Sequence, residues 1–181
     1  HEVQLAQTQV ISRAVNPASE LATAKWIQEN SAVMELTGYD PEKMNKDRLY
    51  KSALKLSSVK EKLEHHLSQK TNELFDMQDK IMLYDLTNTY FEGEKRNSTL
   101  AKYGRSKEKR SDCKLVVLAL VVNIFGFIKH SSVHEGNFSD CKDIEKVIDS
   151  LDYATGTNKP VVVLDAGIAT KENLAIIRNK G

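Results

Sequence analysis

The sequence predicts an α/β fold (α+β overall), in which a mixed β-sheet follows a helical domain. Residues 1–79 show helical periodicity, whereas residues 80–181 combine apolar, β-branched runs with amphipathic segments. The chain has 181 residues, of which 40% are hydrophobic and 28% are charged. This composition suits one ordinary domain with a small companion. We therefore expect a helical N-terminal domain at 1–79 and a sheet domain at 80–181.

The composition excludes several classes of function. A formal net charge of +1 gives no global signal for nucleic-acid binding, so any basic surface must be local. The longest apolar run, 115–128, is interrupted by Asn123 and Gly126 and is shorter than the roughly 20 residues that a membrane helix needs. We therefore expect no membrane partner. Cys113 and Cys141 lack the spacing of metal ligands, and they imply no disulfide framework. We therefore expect a reducing, cytoplasmic compartment.

The first domain is predicted to contain helices separated by local stop signals. One lies within 19–36, and Asp40 followed by Pro41 is typical of the start of a second. A break at 57–58 precedes a third helix. The apolar residues of that helix are spaced by four and seven: Val59, Leu63, Leu67 and Leu74. This domain either contacts DNA or a partner chain, or serves only as a packing subdomain.

The second domain begins with an aromatic and β-branched run at 81–91, which predicts a strand. Asp85 lies in its middle, and an ionised carboxylate there needs a cleft, a cation or hydrogen bonds. A second strand-like run ends at Asp165. Our hypothesis is that Asp85 and Asp165 share a divalent metal ion. Alternatively, Asp85 bonds a neighbouring hydroxyl such as Thr87, and Asp165 is a simple turn residue.

A basic segment follows the first strand. Residues 95–110 carry seven basic side chains against one acidic side chain, far above the chain average. Phosphate contacts from an exposed loop of this kind would give sequence-independent affinity for DNA. The alternative is a solvated run of charges with no ligand.

The remaining elements follow in alternation. The run 114–123 is apolar on both faces and predicts a central strand, with a hairpin turn at 123–126 and a third strand after it. Residues 134–137 are predicted to form a turn. Ser139 or Asp140 would cap the next helix, and Thr170 would cap the last one, after the short strand that ends at Asp165.

This order of elements predicts the opening of a ribonuclease-H-like fold: three antiparallel strands, a crossover helix and a parallel strand. Ligands bind such sheets at the carboxyl ends of the parallel strands, where Asp165 lies. A central first strand would place Asp85 beside it. Magnesium suits two neighbouring carboxylates, and two-metal sites catalyse phosphodiester chemistry, generally with a third acidic ligand.

Four runs form a distinctive combination: 83–93, Gly104-Arg105-Ser106-Lys107 with Arg110 and Asp112, His134-Glu135-Gly136-Asn137, and Val163-Leu164-Asp165-Ala166-Gly167. Together they resemble the DDE transposases of bacterial insertion sequences, in the branch whose third acidic residue follows a β-rich insertion. The resemblance implies a cut-and-paste recombinase that cleaves DNA and transfers a 3′-hydroxyl with Mg²⁺ or Mn²⁺. It also implies double-stranded DNA partners (terminal inverted repeats and target), a homo-oligomer on DNA and a nucleoid location.

The resemblance also implies a role for individual residues. Asp85 and Asp165 match the first and second catalytic, metal-binding Asp. Four basic residues correspond to DNA contacts: Arg105, Lys107, Lys109 and Arg110. Four others lie near the family's active site: Thr87, His134, Gly136 and Asn137.

One catalytic residue of the family has no counterpart in this sequence. The catalytic Glu comes well after the second Asp in the family, and Glu172 is too near Asp165 to replace it. We therefore expect the chain as given to be catalytically incomplete. Two alternatives remain: a non-catalytic remnant that binds DNA or an intact transposase, and a ribonuclease-H-like nuclease.

Overall fold

The computed structural model describes residues 1–104, 110–138, 144–155 and 159–180. The chain divides into two compact units, His1–Lys60 and Glu61–Gly181. This division falls earlier than the boundary that we expected at residue 79, because the last helix before the sheet packs within the second unit. Among the described residues, no helix has both the length and the apolarity needed to cross a membrane.

The first unit is helical. Its helices are α1 (Glu2–Val15), α2 (Glu20–Asn30), α3 (Val33–Thr37) and α4 (Lys46–Ser58). Ser19 caps α2, as its hydroxyl accepts a hydrogen bond from the Ala22 amide. The predicted helix start at Asp40 is only a single 3₁₀ turn, and α4 begins at Lys46 behind an Asn45 cap. Ile27 and Leu49 are fully buried at the centre of this unit.

The second unit contains α5 (Lys60–Phe75), a four-stranded sheet, α6 (Ile144–Thr155) and α7 (Lys171–Lys180). The strands are β1 (Ile81–Tyr90), β2 (Leu115–Asn123), β3 (Ile128–Glu135) and β4 (Val161–Leu164). Their order across the sheet is β3-β2-β1-β4. β2 is antiparallel to both β1 and β3, and β4 is parallel to β1. This is the predicted ribonuclease-H-like opening, and the α/β fold class is confirmed.

One face of the sheet carries the core of the second unit. The side chains of β1 alternate between buried and exposed positions, so Met82, Tyr84 and Leu86 point into the core. Ile144 and Val147 of α6 and Ile168 before α7 pack against them. Asp85 alternates with these residues and therefore lies on the opposite face.

The hairpin after β2 differs from the prediction at its far end. β3 continues through His134 and Glu135, and the turn begins only at Gly136. Ser139 and Asp140, the predicted caps of α6, lie outside the described residues. The predicted Thr170 cap is present, because its hydroxyl accepts a hydrogen bond from the Asn173 amide at 3.2 Å.

Candidate active site

The strand register brings Asp85 next to Asp165. The parallel pairing of β1 with β4 ends at Tyr84 and Leu164. Asp85 follows Tyr84 within β1, Asp165 directly follows the end of β4, and neighbouring strands lie about 4.8 Å apart. Both residues are exposed. The two exposed residues therefore adjoin each other along the chain register, at the carboxyl end of the parallel pair.

A hydrogen-bonded turn supports the backbone at Asp165. The Asp165 carbonyl accepts hydrogen bonds from the amides of Ile168 (2.9 Å) and Ala169 (3.0 Å). Asn173 is fully buried, and its side-chain Nδ2 donates to the Ile168 carbonyl at 2.8 Å. The first turn of α7 thereby holds the turn that follows β4. The role of Asn173 has no sequence signature, since an Asn in the first helical turn is ordinary there.

Around Asp85 and Asp165, this exposed face of the two strands carries apolar side chains and one threonine hydroxyl. Ile81 pairs with Val161 and Leu83 pairs with Val163 along the two strands, and all four side chains are partly exposed on this face. Thr87 lies two residues beyond Asp85, on the same face. β1 continues past the last pair with β4, so Thr87 lies at the edge of the space beside Asp165.

The structure does not bring His134 to this face. Val117 of β2 pairs with both Asn88 and His134, and Val117 points into the core. His134 is therefore on the face opposite Asp85, and β2 separates its strand from β1. Its ring stacks on Phe138 with a centroid distance of 4.1 Å, and its Nε2 lies 2.8 Å from the Ser132 hydroxyl.

Gly136 joins two segments at the end of the sheet. A Cβ atom on Gly104 would lie 1.8 Å from the Gly136 carbonyl oxygen. A Cβ on Gly136 would lie 2.2 Å from the Leu115 oxygen and 2.3 Å from the Lys102 oxygen. Only glycine permits this approach of the two backbones. Gly136, with Asn137 after it, therefore holds the backbone of the basic segment at Lys102 and Gly104 rather than touching Asp85.

The other end of the basic segment is anchored through Arg110. Its guanidinium donates to the Asp112 carboxylate at 2.6 and 3.0 Å and to the Glu92 carboxylate at 3.1 Å. It also lies 4.8 Å from the centroid of the Tyr90 ring. The hydrogen bonds from Arg110 hold the pKa of the Asp112 carboxyl well below its usual range. Arg110 is thus occupied by protein carboxylates, whereas we expected it to contact DNA.

Arg105, Lys107 and Lys109, the other predicted DNA contacts, lie outside the described residues. Gly104 and Arg110 flank them, and both contact the end of the sheet. Tyr90 is five residues beyond Asp85 on β1, which corresponds to about 17 Å along a strand. Gly104 and Arg110 therefore lie at the far end of β1, about 17 Å along the strand from Asp85.

The carboxylates of Asp85 and Asp165 can be compared with the ligands that a divalent ion requires. In the described parts of the chain, no group of three His, Cys, Asp or Glu side chains has a geometry suited to a metal ion. Magnesium, however, commonly binds through one or two carboxylates and fills its octahedron with water and substrate phosphates. Neighbouring carboxylates on an exposed face fit that requirement, since a cation between them also relieves their mutual repulsion.

Comparisons with known proteins give a distant structural similarity. No protein-family model and no curated protein matches the chain. Among solved structures, the chain is similar to the Mos1 transposase paired-end complex with left transposon end, with a TM-score of 0.41 and 10% sequence identity. The match covers 100% of this chain and 56% of that one, so this chain spans about half the length of that transposase. The fold assignment therefore rests on the strand order and register described above.

Proposed function

We propose that this chain carries part of a DNA strand-transfer site of the transposase type, in which Asp85 and Asp165 bind Mg²⁺ or Mn²⁺. One observation carries the proposal: the parallel register of β1 and β4 runs directly into these two residues. Divalent ions bound there would activate a water or 3′-hydroxyl and polarise the scissile phosphate. The resemblance of the surrounding motifs to DDE transposases supports DNA as the substrate.

Each residue on the open face has a role in this proposal. Asp85 and Asp165 supply the anionic oxygens, and the braced turn after β4 fixes the direction of the second carboxylate. Thr87 offers a hydroxyl on the substrate side, suited to a phosphate oxygen.

The basic segment supplies the DNA affinity in this proposal. Arg105, Lys107 and Lys109 contact backbone phosphates, and Gly104 and Arg110 attach the segment to the sheet. The separation of about 17 Å between the carboxylates and this anchor corresponds to about five nucleotide steps along one strand. One duplex can therefore reach both the carboxylates and the basic segment.

A titration with Mn²⁺ followed by electron paramagnetic resonance tests the proposal. We expect the wild-type chain to bind Mn²⁺, and Asp85→Asn and Asp165→Asn each to weaken binding at least tenfold. Glu172→Gln is the matched control, because this exposed carboxylate in the first turn of α7 is close in sequence but is not proposed as a ligand. Equal binding by all four proteins would contradict the proposal.

A further inference from the structure

Asn173 is a buried amide in the first turn of α7, and only one of its two polar groups is paired. The residue is 0% exposed. Its Nδ2 donates to the Ile168 carbonyl at 2.8 Å. Within the described part of the chain, its Oδ1 is also buried but has no hydrogen-bond partner. The Ile168 carbonyl fixes the orientation of the amide, because the reverse orientation would place Oδ1 against another oxygen.

A buried amide with an unpaired oxygen is a poor choice for stability. The oxygen loses its hydrogen bonds to water and gains none in the folded chain. Leucine has the same branched skeleton and would fill a buried position without that cost. Further along α7, Ile176 and Ile177 pack against the core of the second unit in this ordinary way. The Asn at position 173 therefore points to a role for the contact that its Nδ2 makes.

The carbonyl that Asn173 holds belongs to the turn directly behind Asp165. Ile168 donates its amide to the Asp165 carbonyl at 2.9 Å. The Ile168 carbonyl accepts from Asn173 and also from the Thr170 amide at 2.8 Å. The Ile168 side chain is 2% exposed and packs in the core. Core packing and Asn173 thus hold Ile168 from two sides, and Ile168 in turn holds the backbone of Asp165.

We infer that Asn173 is a positioning residue for Asp165, an inference that rests on the proposed function of Asp85 and Asp165. Two neighbouring carboxylates repel each other, so an unsupported turn would let Asp165 move away from Asp85 before a cation binds. The hydrogen bonds to the Asp165 backbone oppose that movement. A metal site needs its ligands held within about 0.5 Å of the bound geometry, and Asn173 contributes to this hold through Ile168.

Mn²⁺ binding followed by electron paramagnetic resonance, together with thermal unfolding, tests this inference on the full chain. Asn173→Leu should weaken Mn²⁺ binding about tenfold, as is typical of residues that orient metal ligands. Its unfolding midpoint should equal or exceed that of the wild type, because the unpaired oxygen is removed. Asn173→Ala should weaken Mn²⁺ binding equally, which separates the lost donor from crowding by the larger side chain.

Thr170→Val is the matched control. It removes the hydroxyl that caps the same helix but leaves the contact between Asn173 and Ile168 intact. This variant should lower the unfolding midpoint and change Mn²⁺ binding by no more than about twofold, within the effect of a lost cap on stability alone. The variant that weakens Mn²⁺ binding and the variant that destabilises the helix should therefore differ.

Amide hydrogen exchange without metal gives a second readout. The amides of Ile168 and Ala169 both donate to the Asp165 carbonyl. They should exchange faster in Asn173→Leu than in the wild type, whereas the amides of β2 should exchange at the same rate in both proteins. Unchanged exchange at Ile168 and Ala169 would show that Asn173 does not hold the turn and would overturn the inference.

The binding results separate this inference from the proposed function. A wild type that binds no Mn²⁺ would overturn both. If the wild type binds Mn²⁺ and either Asn173 variant binds it equally well, the positioning role alone is overturned. Equal weakening by Thr170→Val would also overturn it, because the effect would then come from the start of α7 and not from the amide.

Discussion

Lys129 and Asp79 form a buried ion pair, with 2.7 Å between the ammonium nitrogen and the carboxylate oxygen. Their side chains are 0% and 5% exposed. Asn72 and Asn123 also donate to the Asp79 carboxylate, at 2.7 and 3.0 Å. Asn123 in addition accepts the amides of Phe125 and Phe127 and so shapes the β2–β3 turn. This cluster connects α5, the start of β1 and the hairpin.

We expect Lys129→Met to lower the free energy of unfolding of the second unit by about 3–5 kcal/mol, because it leaves a buried carboxylate without its cation. Lys180→Met is the control. Lys180 pairs with Asp149 and Glu145 on the surface, and an exposed pair contributes at most about 1 kcal/mol. Amide hydrogen exchange of β2 measures the free energy of unfolding of the second unit in both variants. Equal losses in the two variants would contradict the assigned role of Lys129.

The same cluster predicts a pH dependence. Burial alone would raise the pKa of Asp79, but hydrogen bonds from Lys129, Asn72 and Asn123 outweigh it and lower that pKa below its ordinary value. The stabilisation is therefore complete above the ordinary carboxyl pKa of about 3.9 and is lost as the pH falls through the lower folded pKa.

Urea denaturation at a series of acidic pH values measures this effect. Asp79→Asn should make the stability of the second unit depend less steeply on pH below about 4. Asp47→Asn, which removes an exposed carboxylate of the first unit, should leave the pH dependence of the second unit unchanged. A slope that Asp79→Asn does not alter would show that Asp79 keeps its ordinary pKa.

The sequence predicted the strands but did not show which side of α5 packs against the sheet. Alternation and β-branching identify β1 and β2, because a strand with one core face must repeat every two residues. The spacing of Leu63, Leu67 and Leu74 correctly indicated a helix. It did not show which side packs, since Lys129 draws the polar side of α5 inward, and the register irregularity between Val121 and Val122 beside Lys129 has no sequence signature.

The candidate site could be predicted only in part, because residue order does not show on which face of the sheet a side chain lies. Asp85 and Asp165 stood out because each is a carboxylate in or directly after an apolar strand. Residue order alone did not reveal that His134 lies on the opposite face, because a one-residue change in strand register moves every side chain to the other face. The glycine contact between Gly104 and Gly136 joins segments 32 positions apart, which local patterns do not report.

Gly136→Ala should destabilise the second unit by about 1–3 kcal/mol, because the added methyl group would press on two backbone carbonyl groups. Asn137→Ala, at the next residue, which is exposed, should change stability by no more than about 0.5 kcal/mol. Calorimetric unfolding of both variants measures the difference. If Gly136→Ala is as stable as wild type, the close backbone contact is not present in solution.

Within the basic segment, Lys107 and Lys109 should differ from Arg110 in their effect on DNA binding. We expect Lys107→Ala with Lys109→Ala to weaken binding to a duplex oligonucleotide and to reduce its salt slope by about 0.9 for each lost phosphate contact. Arg110→Ala should leave the slope nearly unchanged, because Glu92 and Asp112 already neutralise this side chain. Fluorescence anisotropy at several salt concentrations measures the slopes. A larger loss of slope in Arg110→Ala than in the double variant would reverse this assignment.

Anomalous diffraction from crystals soaked in Mn²⁺ tests the proposed site most directly. We expect a manganese peak between Asp85 and Asp165, with carboxylate oxygens at about 2.0–2.2 Å, and no such peak in Asp85→Asn crystals. Carboxylates more than about 8 Å apart, or a manganese ion bound elsewhere with these two side chains free, would contradict it, since one ion cannot bridge that distance.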